Sequence, residues 1–192
     1  MKIFLVRHGI TIWNMEHRYQ GQSDTALSEE GTKQARKAAE YLNGQNLQAI
    51  YSSDLSRCLQ TAQIISERIK LDFIVEPRFR EISFGVWEGL TIEEAREKYP
   101  DLVHDWYHNT LNFQVPEGES FTQVMERSGK ALDEIIRKNL ASSAVVTHGG
   151  VIRAVLFRLG LIEESKFWSD LAVPGSITML DMENKSFQVV ET

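Results

Sequence analysis

The chain has 192 residues, enough for one domain and too few for two full ones; a chain of that length buries roughly 70% of its unfolded surface and needs no staples. Its single cysteine, Cys58, excludes an internal disulfide framework and any CxxC site. With 21 basic against 27 acidic side chains the net charge is −6, and without a basic run the chain is a poor match for sequence-independent nucleic-acid binding, which relies on many Lys/Arg–phosphate contacts. No apolar run approaches the ~20 residues that span a bilayer. The N-terminus, Met1 to His8, lacks the length and small-residue cleavage site of a signal peptide. These features predict a soluble, cytoplasmic, single-domain protein with neither membrane nor nucleic-acid partners.

Ile3-Phe4-Leu5-Val6 is a short apolar run that fits a strand buried on both faces. After a polar stretch, Ser28 reads as an N-cap, with Glu29 and Glu30 in a first turn whose dipole favours carboxylates. Ala35, Ala38, Ala39 and Leu42 form the helical face, and Gly44 ends it. Ala49 to Tyr51 is a second strand. Leu55, Leu59, Ala62, Ile65 and Ile69 repeat at helical spacing, and Phe73 to Val75 is a third strand. Residues 76–89 are irregular. Thr91 and Glu94 make a capping box for a helix that stops at Pro100, and residues 101–109 predict another short helix. Ser120 and Gln123 cap a helix with a core face of Phe121, Val124, Met125, Leu132, Ile135 and Ile136. Ala144 to Thr147 is a fourth strand, followed by a helix through Leu159. Residues 177–181 and 186–190 predict a hairpin. Strands alternating with helices imply an α/β layered fold on a mostly parallel sheet, with the last strand antiparallel.

Three segments share one pattern, a buried strand followed by a polar cluster: Val6-Arg7-His8-Gly9, Tyr51 to Arg57, and Val146-Thr147-His148-Gly149-Gly150. In open parallel sheets ligands bind beyond the carboxyl ends of the strands, so the fold alone gathers Arg7, His8, Arg57 and His148 at one edge. Taken singly, a histidine near a strand end reads as structural and an arginine at a helix start as a solvated charge. Together, in an acidic protein, they describe a site for a small, multiply charged anion. Phosphate fits best, because Arg binds it bidentately. There is no Walker A loop, no G-x-G-x-x-G and no G-x-S-x-G elbow. Cys58 is no tyrosine-phosphatase nucleophile, because position 64 is Ile rather than Arg, and it is expected to pack inside its helix. Histidine is left as the candidate nucleophile.

Residues 6–14, from Val6-Arg7-His8-Gly9 to Asn14, resemble the RHG signature of the histidine phosphatase superfamily, which includes cofactor-dependent phosphoglycerate mutases. The resemblance continues through Arg18 to Gly21, Asp24 to Gly31, Tyr51 to Ala62, Arg80 to Gly89 and Thr147 to Gly150, in family order and across most of the chain. It implies a three-layer α/β/α sandwich, mostly parallel with one antiparallel edge strand, as one domain over residues 1–192 with a helical cap-like insertion at about 84–118. By the same resemblance His8 is the phosphorylated residue. It must be neutral to attack phosphorus, so its other ring nitrogen should donate to a backbone carbonyl. Arg7, Arg57 and His148 are implied to stabilise phosphoryl oxygens, Asn14 to add an uncharged donor, and Thr11, Gln20, Gly21 and Gly149 to line the phosphate or substrate site. Glu81 matches the family's general acid, a role that calls for a raised pKa while nearby arginines act to lower it. Many relatives carry Glu after RHG where this chain has Ile10, a change expected to touch only the pocket rim.

His104 and His108, four apart, could share a metal on one helix face, but the intervening residues are not Glu-x-x and no third ligand is evident. They are expected, with Trp106 and Tyr107, to line the substrate mouth, and no metal or cofactor is assigned. Trp87, Trp106 and Tyr107 point to an apolar or ring-bearing leaving group. The short segment between Glu81 and the fourth strand resembles the phosphatase branch, with its alpha-ribazole, broad-specificity and metal-independent phosphoserine phosphatases. The expected activity is hydrolysis of small phosphomonoesters. The alternatives are a mutase and a phosphate-binding regulatory protein without turnover.

Overall fold

The computed structural model describes residues 1–169 and 171–190. Six strands form one sheet: β1 (Lys2–Arg7), β2 (Ala49–Ser52), β3 (Phe73–Val75), β4 (Ser142–Thr147), β5 (Ile177–Asp181) and β6 (Ser186–Val190), in the order β3-β2-β4-β1-β5-β6. β1, β2, β3 and β4 pair in parallel, whereas β5 runs antiparallel to β1 and turns back into β6 at that edge. The sheet is therefore mostly parallel, with its antiparallel part in the terminal hairpin.

Side chains alternate across a strand, and β1 serves both faces. Phe4 and Val6 join Ala38, Ala39, Leu42, Cys58, Ala62 and Ile65 from α2 (Glu29–Asn43) and α3 (Ser56–Ile69). Ile3 and Leu5 join the opposite core with α6 (Phe121–Arg137) and α7 (Gly149–Arg158). Cys58 is buried in this first core and its thiol pKa is pushed up by burial. Ser28 caps α2, and the capping boxes at Thr91 and Ser120 both form. A short helix not foreseen from the pattern, α1 (Ile12–Met15), starts at Thr11 with a capping box closed by Asn14. Pro100 does not simply stop α4 (Ile92–Lys98). It also opens α5 (Pro100–His108) from the first helical turn, where its missing N–H has no partner to lose.

Residues 84–118 carry α4, α5 and a 3₁₀ turn at Gly85–Trp87. Trp87 and Trp106 are fully buried, 5.7 Å apart ring to ring, and Trp106 packs on Phe121 of α6. The segment thus shares the core of α6 and α7, and of its residues Phe84 reaches the cleft described below. Among the described residues no helix is long and apolar enough to cross a membrane.

Candidate active site

Strand register builds the site. Arg7 at the end of β1 pairs with Thr147 at the end of β4, so the residues that follow, His8 and His148, emerge side by side. His8 N donates to the carbonyl of Thr147 at 3.0 Å, and the two imidazoles meet edge to face with centroids 5.1 Å apart. β2 pairs on the other side of β4, and α3, which follows it, brings Arg57 into the same place from its first turn. A cleft of about 180 Å³ opens there, lined by Arg7, His8, Asn14, Gln20, Gly21, Arg57, Glu81 and Gly149.

His8 is almost fully buried, and its Nδ1 lies 2.8 Å from the carbonyl of Gly9. A carbonyl only accepts, so Nδ1 carries the proton and Nε2 the lone pair. Burial, with Arg57 and Arg7 nearby, holds the pKa of His8 well below the usual imidazole value, so the ring is neutral. The expected tautomer-fixing carbonyl is therefore that of Gly9. His148 has no exposed surface. Its Nε2 lies 2.9 Å from Ser53 Oγ and 3.3 Å from Cys58 Sγ. Burial, then Arg57 and His8, keep it neutral as well. Enclosed in this way, His148 stands against the His8 ring and, unlike Arg7, His8 and Arg57, does not line the cleft.

The positive charge is left to arginines. Arg57 is anchored by donating to the carbonyls of Gly21 (2.7 Å) and Ser23 (2.9 Å), and Arg7 donates to Ala172 O. Burial is the main influence drawing Arg7 down to about 10, so it remains a cation at neutral pH. The Nε–H groups of Arg7 and Arg57 are buried without an acceptor among the described residues. Such orphaned donors are costly unless an anion is to be held there. Gly21 has φ +53°, and a Cβ on it would run into the Glu88 carboxylate, so the turn that holds Arg57 needs glycine.

Glu81 reaches the cleft from the irregular segment after the 3₁₀ turn at Pro77–Phe79. Its two carboxylate oxygens accept from Ile82 N (3.0 Å) and from Gly150 N (3.2 Å) in the first turn of α7. Thr11 is brought near but does not line the cleft. Buried behind it, Thr11 Oγ1 lies 2.9 Å from Gln20 Oε1 and accepts from Asn14 N, so it orients two residues that do. Ile10 is taken up by backbone bonds to Gln34 and Ser28 and is not among the lining residues.

The expected mouth residues His104, Trp106, Tyr107 and His108, and Trp87, expected to favour an apolar leaving group, are placed elsewhere. Trp87 and Trp106 are core side chains, the His104 and His108 rings stack on each other 4.0 Å apart with His108 Nδ1 against the carbonyl of His104, and Tyr107 packs on Trp168. None of them lines the cleft, because the apolar face of α5 turns inward to Phe121 and Phe84. The aromatic lining is instead Tyr19, Phe84, Phe121 and Trp168, with Arg18 and Arg153 as further cations. Arg153 lies one helical turn beyond Gly149, a spacing that could have marked it. Trp168 sits in a stretch with no periodic pattern and left no such signal. Among the described residues no group of three or more His, Cys, Asp and Glu side chains is arranged to hold a metal ion.

The profile of the histidine phosphatase superfamily (branch 1) matches residues 3–192. The chain belongs to that superfamily. It is 37% identical over 186 residues to phosphoserine phosphatase 1 of Hydrogenobacter thermophilus, covering 96% of this chain and 88% of that one. It is 36% identical over 160 residues to a Yersinia pestis protein named "Probable phosphoglycerate mutase GpmB", covering 83% and 74%. The solved structure of mycobacterial glucosyl-3-phosphoglycerate phosphatase in complex with VO3 superimposes with a TM-score of 0.87 at 30% identity, over 99% of this chain and 97% of that one. With named phosphatases among its relatives, the chain classes as a phosphoric monoester hydrolase.

Proposed function

We propose that the protein is a metal-independent phosphomonoesterase that works through a phosphohistidine on His8. The observation that carries this reading is the His8–Gly9 contact, which fixes a neutral imidazole with its lone pair on Nε2, beside the arginines of the cleft. Nε2 attacks phosphorus while the ester P–O bond breaks. Glu81, as the acid, gives its proton to the departing alkoxide oxygen. Its carboxylate then takes a proton from water, the resulting hydroxide attacks the phosphohistidine, and inorganic phosphate leaves with the His8 lone pair restored. Arg7 and Arg57 face the charge that spreads over the phosphoryl oxygens, and Asn14, Gln20, Gly21 and Gly149 surround it. No cofactor enters the scheme.

The cleft is smaller than the ~300–1,000 Å³ of sites for drug-sized ligands. The substrate is accordingly a small phosphorylated metabolite with a short organic part against Tyr19, Phe84 and Trp168. Phosphoserine is the first member of a panel to try, with alpha-ribazole phosphate as its bulky counterpart. The test is hydrolysis of p-nitrophenyl phosphate in excess EDTA, wild type beside His8→Ala. Turnover by the wild type and none by the variant is expected. Activity abolished by EDTA alone, or retained by His8→Ala, would overturn the proposal. Phosphoryl return to a second substrate with little release of phosphate would point to a mutase instead.

A further inference from the structure

We infer that Arg127, together with Glu119 and Gln22, is a positioning device for the Glu81 carboxyl that acts from behind the backbone and never touches substrate. The inference rests on the proposed role of Glu81 as proton donor. Arg127 belongs to α6, and no part of it lines the cleft. Its Nη1 donates to the carbonyls of Arg78 (2.8 Å) and Arg80 (2.6 Å), and its Nη2 to that of Glu81 (2.9 Å). Residues 80–84 have no helical or sheet ladder to fix their backbone. One guanidinium supplies that fixation.

The rest of the fork is committed as well. Nε donates to Glu119 Oε1 and Nη2 to Glu119 Oε2, both at 2.8 Å. All five N–H donors of Arg127 are thereby used. Glu119 Oε2 also accepts from Ser83 N (3.0 Å) and from Gln22 Nε2 (3.1 Å), and Gln22 Nε2 lies 3.2 Å from the carbonyl of Glu81. Burial acts to raise the pKa of Glu119, but Arg127 and the N–H donors outweigh it, so Glu119 stays ionised. The segment carrying Glu81 is thus gripped at carbonyls 78, 80 and 81 and at the amide of residue 83. The neighbouring Ile82 N–H, which holds one Glu81 oxygen, is placed by the same grip.

Nothing in this network contacts the phosphate-binding residues Arg7 or His8, so its loss should spare phosphoryl binding and spoil proton delivery. A series of aryl phosphates separates the two effects. p-Nitrophenolate departs without a proton, whereas phenolate, the conjugate base of a much weaker acid, is helped by one. The esters are alike in shape, and kcat/KM reports transfer to His8 even when hydrolysis of phosphohistidine limits kcat. In Arg127→Lys, which keeps the charge and loses the fork, kcat/KM for phenyl phosphate should fall about 30-fold or more, a partial loss of the ~10²–10⁴-fold that a general acid contributes. That for p-nitrophenyl phosphate should fall less than about threefold. Glu119→Gln should show the same bias in milder form, and it decides the matter if Arg127→Lys does not fold. Equal losses on both esters, or no loss on either, would overturn the inference. His8→Ala that retains p-nitrophenyl phosphatase activity would instead overturn the reading on which it rests.

Discussion

Glu88 joins the loop that holds Arg57 to the one that carries Glu81, and Glu88→Ala cuts that joint. Its carboxylate accepts from Gln22 N (2.9 Å), Ser23 N (2.9 Å), Phe84 N (3.1 Å), Ser23 Oγ (2.6 Å) and Ser83 Oγ (3.3 Å). The two hydroxyls can rotate to water. The three backbone N–H groups cannot, and each is half-buried. An unpaired buried donor costs ~1–3 kcal/mol, and at the low end of that range three of them cost about 3 kcal/mol. In a domain of this size, that corresponds to a Tm lower by roughly 6–12 °C, small enough that the chain still folds. Activity should suffer more than stability. Arg57 is held by the carbonyls of Gly21 and Ser23, which flank the gripped amides, so kcat/KM should fall by about two orders of magnitude if one misplaced clamp behaves as such clamps do. Glu88→Gln keeps one acceptor oxygen but turns an NH2 toward N–H donors, so it should lie between alanine and wild type. Thermal melting and p-nitrophenyl phosphate kinetics on the three proteins decide. A Tm drop below about 2 °C, or the full drop with unchanged kcat/KM, would refute the reasoning.

Three further outcomes are expected. A Cβ at Gly150 would be built against Glu81 Oε1, a movable side-chain end, while the backbone there is helical; Gly150→Ala should keep or raise Tm, since Ala is favoured over Gly in helices by roughly 0.5–1 kcal/mol, yet lower kcat/KM at least about tenfold. His8 and His148 titrate below 6.5 in the folded chain and near 6.5 when unfolded, so the unfolded state binds more protons in between. The stability they confer is complete above about pH 6.5 and is lost as pH falls below it, at up to ~1.4 kcal/mol per pH unit for each ring. Urea unfolding from pH 7.5 to 5 should show that slope, and His148→Asn should reduce it; a flat profile would contradict the neutral pair. Thr11→Val removes the cap of α1 and the hydroxyl beside Gln20, so it should cost ~1 kcal/mol in urea and raise KM severalfold without changing kcat by as much.

How much of this was legible in the sequence varies with the distance over which each contact acts. Strand and helix periodicity located every sheet strand, and the Ser28, Thr91 and Ser120 caps marked their helices because capping is local. Arg7, His8, Arg57 and His148 were foreseen at one edge because parallel pairing of β1, β4 and β2 forces the residues after them together. The lining aromatics were not. Trp106 and Tyr107 looked like mouth residues by composition, and only the packing of α5 onto Phe121 shows Trp106 turned inward. The partner loops of Glu88 and the three carbonyls of Arg127 lie in irregular backbone, where no period announces a neighbour. Thr11 belonged to a recognisable motif, yet its position behind Gln20 depends on α1, a single turn too short to stand out.

The central claim is the phosphohistidine on His8. Rapid-quench mixing of enzyme with excess substrate labelled in the phosphoryl group, followed by denaturation in base and mass spectrometry of the digested chain, tests it most directly. An acid-labile, base-stable phosphoryl group on the peptide bearing His8, formed at least as fast as turnover and absent from His8→Ala, is predicted. Turnover by the wild type with no labelled protein at any time, or label on another residue that survives His8→Ala, would contradict it.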